Sequence, residues 1–133
     1  MAYAWPVLAA AVASWIAGAV WYGLLADRWI VALETTKDAL MGPSGRPSAV
    51  PYAISFVAEI VMAAALLFFL LRPGPPSAAG GMVLGGLVWL GFVGATLLVN
   101  NVYAKRRPDL TVIDAGHWLA VLLIQGAVLG AMA

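Results

Sequence analysis

The sequence predicts an all-α fold: a four-helix transmembrane bundle with a short interfacial helical segment in its first loop. Three observations predict it. The 133 residues are 64% hydrophobic and 10% charged, where a soluble domain carries about 25% charged residues. A soluble fold of this size has too little interior to hide so much apolar surface. The apolar residues also gather into four runs, and the one from Gly80 to Tyr103 is long enough to cross a hydrocarbon layer of roughly 30 Å.

The chain reads as one four-span domain over residues 1–133, with spans at about 5–25, 51–71, 80–103 and 110–132 and an interfacial loop at 26–42. Span one opens on Pro6, and Ala10, Ser14, Gly18 and Tyr22 recur along one face. Their small side chains admit a neighbouring helix closely. Trp5 at one end and Trp21 with Tyr22 at the other suit the aromatic belts of the two interfaces. No Lys or Arg precedes this run, which continues to Leu25, so it is read as a retained span and not as a secretory leader.

In the first loop, Trp29, Ile30, Leu33, Leu40 and Met41 are spaced for one apolar face, which suits short helices lying in the headgroup region. Thr35 with Asp38 resembles a capping box. Gly42-Pro43 stops the helix, and residues 44–50 form a linker. Span two is apolar except for Tyr52, Ser55 and Glu59. A Pro-rich turn around Arg72 leads into span three, where Gly81 and Gly85 form a small-xxx-small pair; Gly126 and Gly130 repeat it in span four.

Six of the seven Lys and Arg residues lie in the first and third loops, and only Arg72 lies on the other side. The positive-inside rule therefore puts those two loops in the cytoplasm and both termini outside. The net charge of +1, with its cations in short turns, gives no footing for nucleic acid. Zero cysteines and one histidine argue against a thiolate or histidine-rich metal site, and no cofactor motif is present. Membrane lipid is the expected surrounding partner.

Counted from the cytoplasmic helix ends, Glu59 lies roughly 12 Å deep, Thr96, Asn100, Asp114 and His117 roughly 6 to 12 Å, and Ser14 and Gly18 roughly 10 to 16 Å. Gln125 falls deeper, alone. These depths predict a shared polar layer of Ser14, Glu59, Thr96, Asn100, Asp114 and His117, with Glu59 turned inward onto His117 or an asparagine. A carboxylate in hydrocarbon costs at least a few kcal/mol, so it faces the interior, pairs, or takes up a proton. The expected role of Gly18, Gly81, Gly85, Gly126 and Gly130 is helix packing.

Gly18-Ala19-Val20-Trp21-Tyr22-Gly23-Leu24-Leu25, Trp29, Pro51-Tyr52, Leu97-Leu98-Val99-Asn100 and Asp114-Ala115-Gly116-His117-Trp118 follow one another in an order that resembles the bacterial integral-membrane family catalogued as domain of unknown function 1761. The resemblance covers nearly the whole chain. It implies a bacterial cell-membrane protein and brings no reaction or ligand with it.

Two function classes follow. The first is a non-enzymatic bundle that works as a homo-oligomer or as an accessory subunit among other membrane subunits, because glycine on several faces offers more close-contact surface than one chain needs. The second is a small proton-coupled transporter or channel that uses Glu59. An enzyme would need a spaced nucleophile and base, and Ser14, Ser55, Asp114 and His117 form no such motif.

Overall fold

The computed structural model describes residues 2–133, and among these it contains helices, turns and bends but no strand. In chain order the elements are α1 (Ala4–Leu24), α2 (Ala26–Ala32), α3 (Lys37–Met41), α4 (Val50–Leu70), α5 (Ala78–Val88), a π-helical segment (Trp89–Gly94), α6 (Ala95–Tyr103) and α7 (Pro108–Met132). Four rods are long and apolar enough to cross a membrane: α1, α4, α5 continued through α6, and α7.

α7 is the hub, since α1, α4 and α5 all pack on it. Its seam with α5 is backbone against backbone. A methyl group on Gly81 would come 1.8 Å from the Gly126 carbonyl oxygen, one on Gly85 2.3 Å from that of Leu122, and one on Gly130 2.0 Å from that of Ser77. In lipid, where burial gives helices no net advantage, such van der Waals contact is what joins them. These glycines are therefore spent inside the chain, and the surplus of small-residue surface expected for an oligomer is not found on them.

α1 turns Ala10, Ser14 and Gly18 inward, and α4 buries Glu59, Ala63, Leu66, Leu67 and Leu70 at helical spacing. Ala10, Ala63, Leu66, Leu67, Leu70, Leu122 and Leu129 form the main apolar core. A second cluster joins Ala32 of α2 to Leu110 and Ile113 of α7, flanked by Tyr22 and Trp29. The first two turns of α7 thus lie beside α2 and the closing turn of α1.

The π segment, which interrupts the third rod, is the main departure from the expected spans. An extra residue in the hydrogen-bond ladder rotates everything after it by about 100°. The face that carries Gly81 and Gly85 would otherwise run on through Thr96 and Asn100. After the shift Leu97 and Asn101 are half-buried in their place, while Thr96 and Asn100 are exposed. Trp89 occupies the bulge, donating its indole N–H to the Ala115 carbonyl of α7 at 2.8 Å. Its ring lies over Gly94, where a methyl group would come within 3.1 Å.

Two helix ends close in the same way. The Thr35 amide donates to the Ile30 carbonyl and that of Glu34 to Val31; likewise Arg106 donates to Asn101 and Lys105 to Val102. Both are Schellman closures, and Glu34 (φ 57°) and Lys105 (φ 53°) hold the left-handed position usually given to glycine. The N-cap of α3 is Thr36, not Thr35: its hydroxyl accepts from the Ala39 amide at 3.2 Å. At the third loop Arg107 pairs with Asp109 at 2.7 Å. The Arg107 pKa is raised mainly by that hydrogen bond, and Trp29, Ala32 and Leu33 of the first loop pack with Leu110 at the start of α7.

Gly81→Ala and Gly126→Ala should each cost about 1–3 kcal/mol through overpacking. Gly23→Ala, with nothing within 4 Å of the added methyl, should be neutral or stabilising. Lys105→Gly should stabilise by about 1 kcal/mol by relieving the left-handed side chain. Unfolding of the purified variants in detergent measures all four.

Candidate functional site

Ser14, Glu59, His117 and Gln125 are the buried polar side chains among the described residues, and three of them form one cluster. Ser14 of α1 meets the Glu59 carboxyl group of α4 through a short hydrogen bond between Oγ and Oε2. The Gln125 amide of α7 donates to Ser14 Oγ and to the Glu59 backbone carbonyl, both at 3.0 Å. Ser14 Oγ also lies 3.2 Å from the Ala11 carbonyl oxygen. Three helices are tied at one level.

That level is mid-depth. Ser14 lies ten residues into the 21-residue α1 and Glu59 nine into the 21-residue α4, about 15 and 14 Å from those ends. Gln125, expected to stand alone and deeper, is level with both. Counting from the end of α7 misplaced it because the first two turns of that helix pair with α2. Glu59 therefore has Ser14 and Gln125 as partners, and not His117 or an asparagine.

A second polar tier lies higher on the same α1–α7 seam. The Tyr22 hydroxyl donates to Asp114 Oδ1 at 2.7 Å, and the Tyr22 ring lies 4.8 Å from that of His117. His117 rests on Gly18, where a methyl group would come 2.8 Å from Nε2. Gly18 therefore packs against an imidazole, which a side chain at that position would have to displace. Trp21, one turn from Gly18, donates to the Ile113 carbonyl at 3.1 Å.

Thr96 and Asn100 belong to neither tier, because the π segment turns them outward; Asn101 instead donates to Thr111 at 3.0 Å. A separate contact, not singled out from the sequence, ties α1 to α4: the Trp15 indole donates to Ser55 Oγ at 3.1 Å and to the Tyr52 carbonyl at 3.2 Å. Among the described residues, two buried side-chain atoms have no hydrogen-bond partner, Nδ1 of His117 and Oε1 of Gln125. No group of three or more His, Cys, Asp or Glu residues is placed to hold a metal ion among the described residues.

Chemically, the lower tier is built to hold one proton. Ser14 offers one hydrogen and two lone pairs, and the Gln125 amide two hydrogens. If Glu59 carries a proton, it donates to Ser14, Ser14 donates to Ala11, and Gln125 donates to Ser14 and to the Glu59 carbonyl. Each hydrogen then has its own acceptor. If Glu59 is ionised, two acceptors compete for the Ser14 hydrogen and the charge has no cation, since α1, α4 and α7 contain no Lys or Arg.

The family model described as "Protein of unknown function (DUF1761)" matches residues 5–130. The chain belongs to that family. No curated protein and no solved structure matches it. Its four apolar rods and its family together describe a membrane protein within a family of unknown function, and the polar seam of α1, α4 and α7 is the chemistry this DUF1761 member displays.

Ser14→Ala should destabilise the bundle by about 1–2 kcal/mol, near the upper range for hydrogen bonds within membranes. Thr96→Ala and Asn100→Ala, at exposed positions, should stay within about 0.5 kcal/mol of the unaltered protein. Reversible unfolding in mixed detergent micelles distinguishes the two groups.

Proposed function

We propose that the chain is a non-enzymatic, multi-pass protein of the bacterial cell membrane that acts within a larger assembly, and that its neutral Glu59 locks α1, α4 and α7 together. The closed Ser14–Glu59–Gln125 cluster carries this reading. Its side-chain donors are spent on acceptors of these same helices at mid-depth, as those of helix-joining groups are. A neutral acid meets the cost of a carboxyl group in hydrocarbon without needing a counter-ion.

The assembly, a homo-oligomer or a complex with other membrane subunits, is supported by the third rod. It is the least buried of the four, α6 buries no residue, and Thr96 and Asn100 point outward at positions where lipid tails offer no hydrogen bond. The cytoplasmic placement of the first and third loops is supported by the six cations they share.

A second reading, proton-coupled transport through Glu59, is favoured by the stacking of titratable groups along one seam. Asp114, Tyr22 and His117 occupy its upper end and Glu59 its middle.

Cysteine cross-linking in native membranes with Asn100→Cys should trap a dimer or a larger complex, and monomer alone would overturn the assembly. Impermeant thiol reagents should label Lys37→Cys and Arg106→Cys from the cytoplasmic side only. Labelling of the two on opposite sides would overturn the topology.

A further inference from the structure

The contact between α1 and α4 has two sides. On the inner side, toward α7, Ser14 reaches Glu59. On the outer side a groove of about 450 Å³ runs between the two helices, lined by Val12, Trp15 and Ile16 of α1 and by Tyr52, Ala53 and Phe56 of α4. The Trp15 indole spends its N–H on Ser55 Oγ and the Tyr52 carbonyl and meets the Phe56 ring edge-on, with centroids 5.7 Å apart. The groove therefore presents carbon only. Tyr52 lies two residues into α4, about 3 Å below the surface that carries the first loop, and Val12 lies twelve residues from the Leu24 end of α1, about 18 Å below it. The groove thus covers about 15 Å of depth, half of a hydrocarbon layer of roughly 30 Å, and it begins at one membrane surface. The linker that enters α4 at that surface carries Arg46, which is exposed and set in a turn by Ser44: the Ser44 hydroxyl lies 3.3 Å from the Arg46 carbonyl oxygen and 3.4 Å from its amide. Among the described residues the one ion pair is that of Arg107 with Asp109, so the Arg46 guanidinium has no carboxylate partner.

We propose that this groove is a binding site for one anionic phospholipid of the leaflet on the first-loop side, with an acyl chain along Trp15 and Phe56 and the phosphodiester headgroup facing Arg46. A carbon-lined channel one leaflet long matches a lipid tail in chemistry and in length. Burial by itself selects no lipid, because the surrounding tails are as apolar as the groove. Close packing against the two aromatic rings holds the chain, and charge chooses the headgroup. A cation near the membrane surface favours an anionic lipid roughly fivefold. Six of the seven Lys and Arg residues lie in the first and third loops, so the negative headgroup meets its complement at this end of the groove. The site depends neither on the protonation of Glu59 nor on assembly with other subunits.

Native mass spectrometry of the full chain tests this, with the protein released from detergent micelles that contain phosphatidylglycerol or phosphatidylcholine with the same acyl chains. The unaltered protein should retain one phosphatidylglycerol several-fold more tightly than phosphatidylcholine. Arg46→Gln should weaken phosphatidylglycerol roughly fivefold and leave phosphatidylcholine unchanged. Ala53→Trp, which fills the groove from an exposed position, should remove the tightly held lipid. A second measurement uses the full chain in bilayers: phosphatidylglycerol brominated along its chains should quench Trp15, read as the difference between the unaltered protein and Trp15→Phe, more strongly than brominated phosphatidylcholine does. Equal retention of the two lipids by the unaltered protein, or equal quenching by them, would overturn the choice of an anionic headgroup. Tight retention that survives Ala53→Trp would overturn the groove as the site. Retention lost on changing Lys105 and Arg106 to Gln, but kept in Arg46→Gln, would move the lipid to the third loop and overturn the proposal.

Discussion

A carboxyl group halfway across the membrane has neither water nor a cation to turn to, and the arrangement of α1, α4 and α7 is the answer to that constraint. The Glu59 carboxyl group finds a hydroxyl on α1, the Glu59 backbone carbonyl accepts from the Gln125 amide of α7, and Ser14 in turn reaches the Ala11 carbonyl. Sliding any of the three helices by a turn would leave a polar group facing hydrocarbon. Register, which apolar side chains specify weakly in lipid, is thereby set by a handful of hydrogen bonds.

The second constraint is how closely backbones can approach. Gly81, Gly85, Gly126 and Gly130 bring α5 against α7 until carbonyl groups lie where Cβ atoms would stand. Indole donors then fasten the helices from the side: Trp15 to α4, Trp21 and Trp89 to α7. Each donates to a polar atom on another helix, a tie that an aliphatic side chain of equal bulk could not make. The result is a bundle centred on α7, with α6 left at its edge.

Much of this was legible in the residue order. The small face Ala10-Ser14-Gly18 is the face α1 buries, because a four-residue repeat maps directly onto one side of a helix. The prominence of Glu59 was legible too, from the cost of its charge in oil. Its partners were not, because depth measured from a helix end assumes that all helices end together. α7 begins two turns early, alongside Trp29 and Ala32 of α2, and this moves Gln125 to the level of Ser14.

The sequence alone determined that this chain is all helix, that it is long and apolar enough to cross a membrane four times, and which family it resembles. Those properties depend on composition and local period, which need no knowledge of neighbours. Only the tertiary structure decided who meets whom. The six residues Trp89–Gly94 rotate α6 so that Asn101, and not Asn100, faces α7, and Gly18 serves a histidine ring in place of a second backbone. Both outcomes depend on contacts between spans far apart in the chain, where one residue of rotation exchanges a buried amide for an exposed one.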